Sequence, residues 1–149
     1  MLKKSACPPK LQRVLNNETA RAQLMTFLEE QYAEESLLFW LACEKMLKGK
    51  GSQSDGEFRQ MMGEIDGSFV QAVSPLCVNL DSKSREDIAY CASKLLEDLE
   101  PSVDPALKQK SLESLSRAQK HIYKLMERDS FPRFKKSPQY AQVDRLING

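Results

Sequence analysis

Seven consecutive apolar residues, Leu-Leu-Phe-Trp-Leu-Ala-Cys at 37–43, interrupt an otherwise mixed chain, with Glu34, Glu35 and Ser36 directly before them. Seven in a row cover every direction of two helical turns, which rules out an ordinary amphipathic surface helix. The pattern predicts a buried central helix over residues 34–48, its polar N-terminal end emerging at a surface and Gly49 closing it. Before it, Asn16 and Asn17 read as cap residues, and Ala20, Leu24, Phe27 and Leu28 follow at helical spacing. After it, Ser54 and Glu57 have capping-box spacing. They lead a stripe of Phe58, Met61, Met62, Ile65, Phe69, Ala72 and Val73 that Pro75 is expected to end. Gly63 and Gly67 weaken that helix by about 1 kcal/mol each relative to alanine, so packing must hold it.

In the segment 76–82, apolar anchors alternate with short polar side chains, as in an ordered loop. Asp81 or Ser82 would cap the next helix, whose face carries Ile88, Cys91, Leu95 and Leu99. Asp104-Pro105 places a cap before a proline at the first helical position. The stripe Leu112, Leu115, Ala118, Ile122, Leu125 and Met126 then runs toward Asp129, and Phe131-Pro132 is expected to interrupt or kink it. Ser137-Pro138 reads as the cap and first residue of a last helix through Leu146. No strand alternation and no internal repeat occurs, so an all-α fold is predicted.

A length of 149 residues suits one domain with a real core, and 41% hydrophobic with 29% charged residues suits a globular one. The formal net charge of +1 supplies no global attraction to nucleic acid or a membrane. Arg133, Lys135 and Lys136 are the densest basic cluster, read as a solvated helix face. Cys7, Cys43, Cys77 and Cys91 lack zinc or redox spacing, which together with their scatter implies reduced thiols in a cytoplasmic protein. No signal peptide is evident, and the longest apolar run falls far short of the roughly 20 residues that span a bilayer. Cys7 reads first as an inert tail thiol, with a lipid anchor on it, and so peripheral membrane association, as the alternative.

Catalytic patterns are missing. His121, the single histidine, sits between Lys120 and Lys124 on a helix and is expected at the surface without a nucleophile beside it. Gly49, Gly51 and Gly56 lack the ending of a phosphate-binding loop. Glu34 and Glu35 are neighbours that diverge around a helix, the usual complement of a helix dipole rather than an acid–base pair. No metal site and no cofactor are expected. An interaction module ranks first, an enzyme second and a structural piece third.

The block Glu-Glu-Ser-Leu-Leu-Phe-Trp-Leu-Ala-Cys-Glu at 34–44 resembles the central signature of the regulator of G-protein signalling (RGS) domain. Val-Asn-Leu-Asp-Ser at 78–82 and Ile-Tyr-Lys-Leu-Met-Glu-Arg-Asp-Ser-Phe-Pro-Arg-Phe at 122–134 match further blocks in the same order, and Ser-Pro-Gln-Tyr at 137–140 fits the closing segment. The likeness runs over roughly residues 10–143, behind a short tail at 1–9 and within a domain ending near 147. It implies an antiparallel four-helix bundle with a terminal-helix subdomain. It also implies a monomeric GTPase-activating partner for the α subunit of a heterotrimeric G protein (Gα), with no catalytic residue of its own. By position, the Gα-binding residues would be Tyr32, Glu34, Glu35 and Ser36 on one wall of a groove. Asn79, with Asp81 and Ser82 supporting its loop, would meet the switch regions, and Leu125, Asp129, Ser130 and Arg133 would form the other side. Leu125, Asp129 and Arg133 would share a helical face through four-residue spacing.

Two positions depart from that pattern. Ser36 stands where the family usually has asparagine, and Ala33 where it often has serine. A lost interface amide costs about 1 kcal/mol when water replaces it. The departures keep a second expectation in view, a non-catalytic scaffold with the same fold. The stretch 89–116 is also longer than the corresponding family connection, and residues 96–111 are expected to extend or add a helix.

Overall fold

The computed structural model describes residues 8–49, 53–98 and 100–148. Cys7, Leu99 and the Lys50-Gly51-Ser52 part of the central connection lie outside them. The described residues are helical throughout their regular structure, in two compact units.

Among the described residues, the first unit joins 8–34 with 125–148. It holds α1 (Lys10–Asn16), α2 (Glu18–Glu30), α7 (Phe131–Lys135) and α8 (Tyr140–Asn148). Helix α1, which the apolar spacing did not single out, buries Leu11, Val14 and Leu15. Asn17 caps α2 as expected, its Oδ1 accepting from the Ala20 amide at 2.9 Å. Phe27, Phe131, Phe134 and Tyr140 form the aromatic heart, with ring centroids 5.4 Å apart for Phe27–Phe134 and 5.5 Å for Phe134–Tyr140. Arg13 ties the termini together by donating to the Ile147 carbonyl at 3.3 Å.

The second unit, Glu35–Lys124, is the expected four-helix bundle of α3 (Glu35–Lys48), α4 (Asp55–Ile65), α5 (Ser82–Glu97) and α6 (Pro105–Leu125). Leu37, Phe39, Trp40, Cys43 and Met46 of α3 are buried, and Leu38, Leu41 and Ala42 half-buried, so the apolar run is enclosed on most sides. Burial pushes the Cys43 thiol up, leaving an inert hydrophobe. Gln119 of α6 donates to the Trp40 carbonyl at 3.1 Å and to Glu44 at 2.8 Å, joining α6 to α3 through buried polar contacts. The capping box closes both ways: Ser54 Oγ accepts from the Glu57 amide, and Glu57 from that of Ser54.

Three expectations are corrected. Pro75 does not end the stripe behind α4. After Ile65 the chain makes a π turn at Asp66–Val70, and Ala72 and Val73 stand exposed, Val73 at 94%. Phe131-Pro132 does interrupt the α-helix as expected, α6 ending at Leu125 and α7 starting at Phe131. Pro132 cannot donate to the Arg128 carbonyl and would crowd it in an α turn. The backbone instead widens to a π turn at Met126–Ser130, where the Phe131 amide reaches back to Met126, and helix α7 follows directly. Ser137 is not a cap. Its hydroxyl donates to the Phe134 carbonyl at 2.7 Å, and α8 begins only at Tyr140. His121 is half-buried rather than exposed.

The described part of the long stretch after Ala89 becomes the end of α5, a strap at 98 and 100–104 and the first turns of α6. Helix α4 anchors that strap. Arg59 donates to Asp98 at 3.3 Å and to the Ser102 carbonyl at 3.3 Å. Asp55 accepts from the Val103 amide at 2.7 Å and from Lys108 at 2.9 Å. The Lys108 hydrogen bond, followed by that of the Val103 amide, holds the Asp55 carboxyl below the usual carboxylate range. A depressed folded value gives stability that is full above the unfolded value and disappears as pH falls through the folded one. Asp55→Asn is therefore expected to melt below the parent near neutrality, with the gap narrowing as pH falls below the usual carboxylate range. Thermal melts across those pH values measure the convergence.

Candidate functional site

Each unit carries part of the expected surface. In the first, α2 ends in a Schellman motif: the Ala33 amide bonds to the Leu28 carbonyl at 2.9 Å and the Tyr32 amide to that of Glu29 at 3.1 Å. The residue after such an end usually needs a left-handed backbone and is usually glycine. Here it is Tyr32, at φ 55° and 90% exposed. A large side chain held in that conformation costs roughly 1–2 kcal/mol, strain of a kind that gathers at functional sites. Tyr32→Gly is expected to stabilise the chain by about 1 kcal/mol, read as a higher urea midpoint, while deleting an exposed aromatic contact.

Gln31, which sequence reasoning passed over, sits one residue before that strained position. Its Oε1 accepts from Arg133 Nη1 at 3.4 Å, while Arg133 Nη2 bridges Asp129 at 3.3 Å. Arg133 thus joins the α2 terminus to the turn before α7, and both partners hold its guanidinium at the surface. The Asp129–Arg133 pair is exposed on both sides, so it orients the arginine more than it stabilises the fold. Leu125 does not follow in the same register, because the π turn separates it from Asp129. Leu125 and Ser130 are half-buried, and Glu34 occupies the turn before α3. Lys135 and Lys136 are exposed as expected, with Lys135 resting over the Phe131 ring at 5.2 Å.

In the second unit, Glu35 and Ser36 open α3, both half-buried, where a carboxylate complements the helix dipole. Asn79 lies between Val78 and Leu80, 1% and 7% exposed, and is itself exposed. The Leu80 amide donates to the Val78 carbonyl at 3.1 Å, closing a γ-turn with Asn79 at its apex. Burial on both sides and a tight turn between leave the amide nowhere to point but outward. Asp81 then caps α5, accepting from the Ser84 amide at 3.1 Å. Hydrogen bonds from the Ser84 hydroxyl and amide hold the Asp81 carboxyl below its usual range. Ser82 is the exposed first residue of that helix.

The loop's upstream end folds onto the end of α4. The carbonyls of Ser68, Phe69 and Val70 take no helical amide. Instead Ser74 Oγ donates to Ser68, the Val78 amide to Phe69 at 2.8 Å, and Arg85 Nη1 to Val70. Arg85 Nη2 also donates to the Val78 carbonyl at 2.8 Å, and Nη1 lies 3.3 Å from Cys77 Sγ. Sequence reasoning missed Arg85, because nothing in its neighbours shows which carbonyls it will reach.

The model of the family described as "Regulator of G protein signaling domain" matches residues 10–143. The chain belongs to that family. Among curated RGS proteins, Regulator of G-protein signaling 19 of Mus musculus is 34% identical over 137 residues, covering 92% of this chain and 54% of that protein. Regulator of G-protein signaling 5 of Sus scrofa is 34% identical over 132 residues, covering 89% and 63%. Regulator of G-protein signaling 7 of Bos taurus is 31% identical over 133 residues, covering 89% and 24%. The chain spans about half the length of the first of these relatives. Membership covers every block discussed above: the α3 signature, the Asn79 loop and the segment through Phe134 all lie inside the RGS match. Among the described residues, no helix is long and apolar enough to cross a membrane.

Proposed function

We propose that this RGS domain binds a heterotrimeric Gα subunit and accelerates its GTP hydrolysis by holding the switch regions in their transition-state arrangement. The observation that carries this reading is Asn79, an exposed amide fixed at the apex of a tight turn within a chain of this family. An amide both donates and accepts, which suits contact with polar switch-region groups around the water-orienting glutamine of Gα. Gα supplies the arginine and the glutamine, so the domain needs no catalytic residue of its own. Binding the transition-state form more tightly than the GTP-bound ground state lowers the barrier, and each tenfold in rate requires about 1.4 kcal/mol of that difference.

The first unit contributes Tyr32, Glu34, Leu125, Asp129, Ser130 and Arg133 to the partner. The second contributes Glu35, Ser36, Asn79, Asp81 and Ser82. The domain acts as a monomer on the cytoplasmic side, meeting Gα at the inner face of the plasma membrane. Single-turnover GTP hydrolysis by a panel of Gα subunits, with and without the domain, tests the reading. Acceleration of at least one is expected, and none across the panel overturns it. The Ser36 substitution favours one alternative, a scaffold that binds without activating. That alternative predicts equal affinity for Gα bound to GDP and to GDP with aluminium fluoride.

A further inference from the structure

We propose that Arg85 is the positioning residue for Asn79. This rests on the GTPase-activating reading and adds how the key side chain is aimed. A helix ends with carbonyls that lack amide partners and with the negative end of its dipole. At the end of α4 the π turn at Asp66–Val70 presents three such carbonyls in succession, at Ser68, Phe69 and Val70. All three are satisfied from the Asn79 loop or the first turn of α5: by Ser74 Oγ, the Val78 amide and the Arg85 guanidinium. A cation is the group a helix C-terminus favours, and a guanidinium has enough donors to serve two carbonyls. Arg85 uses that capacity, donating to Val70 in the π turn and to Val78 immediately before Asn79.

The residues around Asn79 are thereby held from both directions. Upstream, Val78 is fixed through its amide by Phe69 and through its carbonyl by Arg85. Downstream, Asp81 is fixed as the cap of α5, the same helix that carries Arg85. With three segments tied to one guanidinium, the direction of the Asn79 amide becomes a property of the α4 terminus rather than of the loop alone. Removing Arg85 releases the upstream tie while the α5 cap and the buried core remain.

Arg85→Met keeps the aliphatic reach and removes the guanidinium. It is expected to speed amide hydrogen exchange at Val78 and Leu80 at least tenfold while leaving the central turns of α3 and α6 protected. It is also expected to raise about tenfold the concentration of domain needed for half-maximal acceleration of a responsive Gα. Because Arg85 acts through Asn79, adding Arg85→Met to Asn79→Ala should cost less than threefold more. Arg85→Lys, able to serve one carbonyl, should recover part of both readouts, and Ser74→Ala should loosen the loop without removing a charge. Unchanged exchange at Val78 and Leu80 in the Arg85 and Ser74 variants overturns the proposal, as does full additivity with Asn79→Ala. If the parent accelerates no Gα, the functional reading fails on its own, and hydrogen exchange still decides whether Arg85 holds the loop.

Discussion

Phe39→Ala is expected to destabilise the fold by about 3–5 kcal/mol, a large share of the roughly 5–15 kcal/mol that such a domain has in total. Phe39 is 0% exposed in the second turn of α3, and its ring meets that of Phe69 edge to face at a centroid separation of 5.6 Å. Truncation removes the transfer energy of a buried ring, empties a cavity in a helix enclosed on most sides, and deletes the aromatic pair. Little can collapse into the space, because α3 is braced to α6 through the Gln119 contacts with Trp40 and Glu44. The damage would also reach the Asn79 loop. Phe69 belongs to the π turn, and its carbonyl receives the Val78 amide beside Asn79. Urea unfolding measures the loss. Phe39→Leu, which keeps most of the volume, should cost less than half as much. A drop below about 1 kcal/mol for the alanine variant would mean that Phe39 is not a keystone of the bundle.

How much of this was legible depended on the range over which each feature is decided. The buried α3, the Ser54–Glu57 box, the Asp81 cap and the Asp104-Pro105 start are each settled by side chains within four residues of one another. The order of helices followed from the same local signals. The two π turns did not, because a helix end is a competition for carbonyls. The groups that win at Ser68, Phe69 and Val70 come from as far away as Arg85, 15 residues beyond Val70. Pro132 forecasts the interruption, but not its form, the widening of one turn. Helix α1 is only seven residues long and carries too short a period to stand out.

The candidate site divides the same way. Asn79 was visible as a polar residue between apolar anchors, and its exposure follows from their burial. Arg133 was visible in its pairing with Asp129. Its second partner, Gln31, is 102 residues away and no spacing rule reaches it. The left-handed backbone of Tyr32 was equally hidden, since a Schellman end is normally announced by a glycine that this chain lacks. The candidate contact residues were named by position from the family resemblance, whereas Arg85 and Gln31, whose hydrogen-bond partners lie far along the chain, required the fold.

Asn79→Ala separates function from stability most cleanly. Among the described residues the Asn79 side chain makes no hydrogen bond, while its backbone turn is held by the Leu80 amide and by the burial of Val78 and Leu80. Alanine can occupy the same backbone, since Asn79 does not have a positive φ. The melting transition should therefore move by no more than about 0.5 kcal/mol in equivalent stability. Acceleration of Gα should fall by about 10- to 100-fold, which corresponds to roughly 1.4–2.7 kcal/mol of lost transition-state contact. Two further substitutions resolve what the amide contributes. Asn79→Ser retains a donor and an acceptor at shorter reach and should keep part of the activity. Asn79→Asp keeps the shape but loses the donor and adds a negative charge toward a phosphate-bearing site, so it should be at least as damaging as alanine. Single-turnover hydrolysis together with binding to Gα carrying GDP and aluminium fluoride measures the series. A large fall in melting temperature for Asn79→Ala would make the residue part of the loop's own framework. Full activity in all three variants would remove Asn79 from the proposed interface and with it the central support for the transition-state reading.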